Sequence, residues 1–318
     1  MFFSSNISPT QMIINYFSTY YVYRRESSSE IPANLRRKVV APRPFLGHVV
    51  PETSKRRQNF ATGGTSNSPK LRPQGQKRVS EEYGNPSNLV ILGGKCRGRK
   101  IRSPETVYLR PMMGKVREAV YSTMRSFELY TPEMPVYRHL DIFAGSGSVG
   151  LESISRGAQH CTFVDLSDDC CQTVENNLRL LGLDDDNENT LEKHKVVCAD
   201  FMAALQDPFN VLNVPPNTQY NVVTICPPYE EIVYADLLQA LTKCPVLADD
   251  AIVLIEYPVE LTCLPHVIIA DDGDENSNTL VGLRNRKYGR TVVALYIVNP
   301  TGTLDRAESR PEEFISLN

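Results

Sequence analysis

Across 318 residues the chain sets 34 Lys/Arg against 37 Asp/Glu, a net charge of −3, with 41% apolar residues and eight Cys. That length holds one large domain or two small ones. The Cys residues include no C-x-x-C pair, so neither a zinc site nor a disulfide framework is supported. Several lie in apolar runs, where Cys acts as a small buried hydrophobe, and a reducing compartment is expected.

Charge is unevenly spread. Residues 1–80 carry 13 Lys/Arg against three Glu and no Asp, a net of +10, and the remainder carries a net of −13. The apolar stretch in the first 23 residues is broken by polar side chains before it reaches membrane-spanning length. No positive region precedes it, so a secretory signal is not expected either. Runs such as Ser27-Ser28-Ser29 and Ala61–Ser66 would not bury a core. Residues 1–84 therefore read as an organellar transit peptide, chloroplast with mitochondrion as alternative, or a disordered basic leader. The rival is a retained RNA-binding tail using Arg36-Arg37-Lys38 and Lys55-Arg56-Arg57.

Past the leader, Leu89–Lys95 reads as a strand with Arg97–Ile101 as its hairpin partner. The spacing of Val116, Val120, Tyr121, Met124 and Phe127 predicts a helix over Gly114–Tyr130. Residues 85–130 form a small N-terminal unit on this reading. Strand and helix then alternate through 131–299: His139–Phe143, a helix to Gly157, Cys161–Asp165, helix Asp168–Gly182, Lys195–Cys198 and helix Phe201–Leu205. Tyr220–Cys226, helix Tyr234–Lys243 and Ala251–Tyr257 follow. This order predicts an α/β fold with a mainly parallel sheet and right-handed crossovers. Val267–Ala270 and Thr291–Val298 have no adequate helix between them and are expected to pair antiparallel. Asp184–Thr190 and Pro208–Gln219 read as surface insertions, and 300–318 as a disordered acidic tail. No internal repeat is present, and a monomer is the expectation.

The segment Asp141-Ile142-Phe143-Ala144-Gly145-Ser146-Gly147-Ser148-Val149-Gly150 reads as a buried strand end, a glycine turn and a helix start. Gly145 and Gly147 leave the backbone open to a ligand, and the free N–H groups of the helix start face it. In an open α/β sheet such a turn binds nucleotides. Gly145, Gly147 and Gly150 also satisfy G-x-G-x-x-G with Asp165 about 20 residues on, as a dinucleotide site expects. Two features pull toward S-adenosylmethionine: Asp141 four residues before Gly145, and Cys226-Pro227-Pro228-Tyr229 closing a later strand. The bland alternative is a tight turn without a ligand.

Leu109-Arg110-Pro111 with Val116-Arg117-Glu118, followed by Asp141-x-Phe143-Ala144-Gly145-Ser146-Gly147-x-x-Gly150-x-Glu152-x-x-Ser155-Arg156-Gly157, resembles the RsmD-like small-subunit rRNA (guanine-N2) methyltransferases. The likeness runs from about residue 88 to 298. It implies a Rossmann-like, seven-stranded class I methyltransferase fold that uses S-adenosylmethionine and no metal. Its partner would be small-subunit rRNA or the assembling small subunit. By the same resemblance Phe143, Ala144, Gly145, Ser146 and Gly147 would wrap the cofactor's methionine and ribose, with Asp141 beneath. Asp165 would accept both ribose hydroxyls. Asp200 would accept the adenine amino hydrogen, with Phe201 on the ring, and the alternative for Asp200 is a helix N-cap. Arg110 and Arg117 would grip RNA phosphates, although Arg117 could instead pair with Glu118 or another carboxylate. Arg97, Arg99 and Lys100 form a basic cluster suited to phosphates.

One position departs from the resemblance. Amine methyltransferases of this type usually carry Asp or Asn where Cys226 stands. A guanine amine is a poor nucleophile because its lone pair is delocalised into the ring. A side-chain oxygen and a backbone carbonyl accept its two hydrogens and bring the nitrogen toward tetrahedral geometry, while the aromatic stacks on the flipped base. A thiol is a weak acceptor, and losing one such hydrogen bond costs about 1–3 kcal/mol, a slowing of roughly ten- to hundredfold. Pro227 and Tyr229 remain available, and Glu230 or Glu231 could substitute as acceptors or simply be helix-start acids. The alternatives carried forward are a catalytically weak rRNA-binding assembly factor and a methyltransferase for another base or a protein amide. Cys226 as a pyrimidine nucleophile and NAD-dependent oxidoreduction are the remoter ones.

Overall fold

Among the described residues eight strands build one sheet: β1 Arg138–Ile142, β2 His160–Asp165, β3 Lys195–Cys198, β4 Tyr220–Ile225, β5 Leu247–Pro258, β6 Val267–Ile268, β7 Leu280–Tyr288 and β8 Thr291–Val298. The computed structural model describes residues 89–107, 109–184, 194–229, 231–274, 276–304 and 306–317. The leader expected over 1–84 lies outside the described residues, as does nearly all of the insertion expected over Asp184–Thr190. The order across the sheet is β3-β2-β1-β4-β5-β8-β7-β6. The first five strands pair parallel, and β5–β8, β8–β7 and β7–β6 pair antiparallel. Seven of the eight strands thus take the class I methyltransferase arrangement, and β6 adds two residues at its antiparallel edge.

Local chemistry explains the elements around the sheet. Helices are α1 Gly114–Ser126, α2 Ser148–Arg156, α3 Asp168–Leu181, α4 Phe201–Gln206, α5 Pro208–Val211 and α6 Tyr234–Thr242. In α3, Ser167 caps the first turn by accepting from the Cys170 N–H, and Asp168 and Asp169 sit where the helix dipole favours acids. Gly182, at φ 62°, ends that helix in the left-handed conformation. The run Ala251–Tyr257 in β5 is buried residue after residue, as a strand covered on both faces must be.

This topology positions a site. Ile142 at the end of β1 pairs with Val164 of β2 on one side and Ile225 of β4 on the other. The strand order reverses between β1 and β4, so the loops leaving β1, β2 and β4 meet at one end of the sheet.

Four expectations are corrected. The strand β7 was not anticipated, and it, not β6, pairs with β8. Only its first half is apolar; Arg284, Arg286 and Lys287 make the rest read as loop, yet Arg284 is buried over the Phe127 ring at 5.1 Å. The N-terminal hairpin is one bridge, Val90 to Lys100, around a compact turn and not a pair of regular strands. The helix expected over Gly114–Tyr130 stops at Ser126. Finally, the tail is folded over 300–317. Leu304 and Ala307 are buried, and a 3-10 turn at Pro311–Phe314 seats Phe314 over Gly282, with ring centroids 5.4 Å from Tyr296 and from His266. The Asn285 N–H donates to Glu313 Oε2 at 2.9 Å, fixing this segment to β7.

Phe314→Ala is expected to lower the unfolding free energy by about 2–4 kcal/mol, because a buried aromatic leaves a cavity over the sheet. Urea denaturation of the full chain reads this directly, and a change below about 0.5 kcal/mol would return the tail to the status of a surface appendage.

Candidate active site

The turn after β1 is built from unusual backbone. Phe143, Gly145 and Gly147 have φ of 62°, 55° and 74°, so three of five consecutive residues are left-handed. Glycine bears this without strain, but Phe143 does so at a cost of about 1–2 kcal/mol. Its ring is held against Phe201, centroids 4.7 Å apart. Such conformations persist where the surroundings impose them, and they gather at ligand clamps.

Two carboxylates brace the turn. Asp165, at the end of β2, accepts from the Gly145 N–H (2.8 Å) and the Ser167 N–H (3.0 Å). Asp141 is 1% exposed, with one oxygen accepting from the Thr224 hydroxyl (2.6 Å) and the other from the Gly150 N–H (2.9 Å). Burial nevertheless pushes its pKa up to about 7. The Thr224 hydroxyl has one hydrogen and gives it to Asp141. His139 Nε2, 2.9 Å away, must then be the protonated nitrogen of a neutral ring, consistent with burial driving the His139 pKa down to about 3.

A cavity of about 630 Å³ opens at this end of the sheet. It brings together Asp141, Phe143, Ala144, Gly145 and Ser146 of the turn, Asp165, the corner Cys226-Pro227-Pro228-Tyr229, and Arg110. Upstream of Arg110, the chain is strapped to α3 at Arg102 and Thr106. Buried Asn177 donates to both Arg102 O and Ser146 O, and Asp169 accepts from the Thr106 N–H and hydroxyl. Gly147 is not among the lining residues; it is the N-cap of α2. Asp200 caps α4 by accepting from the Ala203 N–H at 3.0 Å, and Phe201 reaches the site through Phe143.

The basic residues divide. Arg97 borders a second, open depression of about 550 Å³ beside Arg125 and Arg156. Lys100 is exposed. Arg99 donates to the Leu180 and Leu181 carbonyls, capping the end of α3, so part of its charge serves the fold. Arg117, expected to grip RNA, is 1% exposed and cannot. Its guanidinium faces Glu152 at 3.4 Å and donates to Val90 O. Glu152, fully buried, also accepts from the Leu92 and Gly93 N–H groups (2.8 and 2.7 Å) and from Arg156 Nε (2.8 Å). The alternative pairing of Arg117 with a carboxylate is the one observed, with Glu152 and not Glu118.

The corner holds a residue that sequence reasoning missed. Glu256, near the C-terminal end of β5, lines the cavity at 8% exposure. The Tyr229 hydroxyl donates to its Oε1 (2.7 Å) while accepting from Thr291 Oγ1 (2.7 Å), and Cys226 lines the same cavity beside it. Burial pushes the Glu256 pKa up, opposed by its hydrogen bond to Tyr229 and by Cys226 and Arg110 nearby. Burial, with Glu256 and Asp141 beside it, drives the Cys226 thiol well up, which removes the thiolate a nucleophile needs. The signal was present as one acid inside the apolar run Ala251-Ile-Val-Leu-Ile-Glu256-Tyr257, since a carboxylate is rarely buried without a task. Glu231 lines the cavity from an exposed position, and Glu230 lies outside the described residues.

Comparison with known proteins bears on this site. The family model described as Conserved hypothetical protein 95 matches residues 89–297. The chain is 31% identical over 209 residues to the Bacillus subtilis (strain 168) protein named "Putative rRNA methyltransferase YlbH", covering 65% of this chain and 98% of that one. It is 29% identical over 178 residues to Ribosomal RNA small subunit methyltransferase D of Escherichia coli (strain K12), covering 56% and 79%. A solved Escherichia coli structure, yhhF, aligns with a TM-score of 0.49 at 26% identity over 67% of this chain and 98% of that one.

Replacing Glu152 with Ala strands the buried Arg117 guanidinium and two backbone donors, leaves Arg156 with Glu118 alone, and is expected to cost about 3–5 kcal/mol of stability. Denaturant unfolding of the purified variant checks it; a loss near zero would mean the clasp is dispensable.

Proposed function

Because the chain belongs to the Conserved hypothetical protein 95 family, the family of RsmD and YlbH, we propose that it methylates the exocyclic N2 amine of a guanine in small-subunit rRNA. The methyl donor on this reading is S-adenosylmethionine. The observation that carries the proposal is the single cavity in which the glycine turn, with Asp141 and Asp165, faces Cys226-Pro227-Pro228-Tyr229.

The residues present suit such a donor. The volume falls within the roughly 300–1,000 Å³ of small-molecule sites. Asp165 spends one hydrogen bond per oxygen on the protein, and each oxygen keeps a lone pair for a vicinal diol. Asp141 places negative charge beneath the turn, where a cationic methionine end would lie, and Phe143 offers an apolar wall. When bound, the cofactor supplies an electrophilic methyl group.

The chain's own groups do the rest. The Pro227 carbonyl accepts one amine hydrogen. The Tyr229 ring, pinned through its hydroxyl to Glu256 and Thr291, is held rigid for stacking on an extruded base. Alignment of this kind supplies a large share of the rate enhancement in bimolecular transfer. Arg110 at the cavity and the surface around Arg97 and Arg125 suit phosphates. A second reading, an rRNA-binding assembly factor with little transfer activity, is favoured by Cys226 alone. The basic, acid-poor first 80 residues support an organellar address, with chloroplast the first choice.

The deciding experiment offers the full chain radiolabelled S-adenosylmethionine with small-subunit rRNA, free and in assembling particles, followed by nucleoside analysis. Label is expected in N2-methylguanosine, and Tyr229→Ala is expected to cut transfer at least tenfold while sparing cofactor affinity. Label in 5-methylcytidine would instead make Cys226 a nucleophile, and RNA binding without transfer would favour the assembly factor. Titration calorimetry gives a second check. Protonation of Asp141 removes the charge that holds the cationic end, so affinity for S-adenosylmethionine is expected to weaken as pH falls below about 7. In Asp141→Asn that dependence should be absent.

A further inference from the structure

Resting on the rRNA guanine-N2 reading, we propose that Glu256 is the carboxylate that accepts the target amine's hydrogen bond and then its proton, from a strand the corner motif does not include. An amine whose lone pair is delocalised needs an acceptor on each N–H to become nucleophilic, and the Cys226 thiol is a poor one. Within the cavity the acids are few, and geometry separates them. Both Asp141 oxygens are already bonded, to Thr224 and Gly150, at 1% exposure. Asp165 stands at the end of β2 and braces Gly145. Glu231 is solvated. Glu256 alone is both nearly buried and in contact with two members of the corner, Cys226 and Tyr229.

Its bonding is incomplete in the right way. A carboxylate has about four lone-pair sites. Tyr229 occupies one of those on Glu256, which leaves capacity for a further donor from the cavity. The thiol stays neutral here and sets no second charge beside Glu256, which turns an apparent defect at position 226 into support for the acid behind it. An Asp at 226 would put a second carboxylate against the first, and like charges so close resist joint ionisation.

The transfer balances on this assignment. The amine lone pair forms the new N–C bond while the methyl–sulfur bond breaks, and that electron pair stays on sulfur as a neutral thioether. The nitrogen, now positive, gives one proton to the Glu256 carboxylate, which returns it to solvent through the cavity mouth. Burial among Cys226, Tyr229 and Tyr234, with Arg110 as the facing cation, leaves Glu256 a stronger base than a surface glutamate.

The test uses the full chain with small-subunit rRNA, measuring kcat for N2-methylguanosine formation and, separately, calorimetric affinity for S-adenosylhomocysteine. Glu256→Gln keeps the shape and an oxygen for Tyr229 but cannot take a proton. It is expected to lower kcat by roughly 30- to 100-fold with cofactor affinity within twofold of wild type. Adding Cys226→Asp should restore at least a third of the wild-type kcat, since the acceptor returns from the neighbouring position. Wild-type kcat in Glu256→Gln would overturn the proposal. A loss that Cys226→Asp does not repair would overturn it too, leaving Glu256 as a support for Tyr229. A wild-type chain inert on every rRNA form would overturn the rRNA reading and this inference together, so the two failures are distinguishable.

Discussion

The buried carboxylate of Glu152 holds the N-terminal unit to the sheet domain. Two backbone amides, a fully enclosed arginine and a partly enclosed one converge on a group with no access to water. Ionised groups survive such burial only when their partners are nearly complete. Glu152 lies in the first turns of α2, the helix that begins at the glycine loop, and its partners come from residues 92–93, from α1 and, as Arg156, from α2 itself. The glycine loop, α1 and the turn carrying Arg97 are therefore placed relative to one another by one charge cluster, while the chain before Arg110 is tied to α3. The L-R-P…V-R-E block and the F-A-G-S-G turn are coupled in the sequence because they are coupled here: Arg117 of one meets Glu152 of the other.

Much of the fold was legible in the sequence. Alternating apolar runs and helical spacings gave β1 to β4 and α3 to within a residue or two, because burial on both faces writes a continuous apolar run, while β5 begins four residues before the run that was read. Thr291–Val298, buried at every position, was readable end to end. β7 was not, because Arg286 and Lys287 along it are exposed and the buried Arg284 is held by tertiary partners, the Phe127 ring and the Glu308 carbonyl, which periodicity cannot see. The tail failed for a related reason. Its composition is acidic and aperiodic, yet one aromatic finding a gap over Gly282 is enough to dock it.

The site was readable where it is local and obscure where it is not. Asp141, the glycine turn and Cys226–Tyr229 announce themselves by spacing within a few residues. Glu256 lies 30 residues past Cys226, joined to it only by the pairing of β4 with β5, where Ile225 sits against Ile255. Arg117 failed in the opposite direction: an arginine in a basic block reads as surface, and only the burial of Glu152 reveals why it is needed inside.

The Thr224 hydroxyl is a small feature with a mechanical meaning. It sits on β4, which ends in the proline corner, and grips Asp141 on β1, which ends in the glycine turn. The two adjacent strands are already hydrogen-bonded in register, and this cross-link at 2.6 Å adds a side-chain bolt just below the point where they part. The two walls of the cavity are thus fixed to a common rigid base, with no hinge between them. The spacing from one wall to the other acts as a built-in gauge, and whatever adapts to an incoming molecule must be the molecule or the chain strapped to α3 upstream of Arg110.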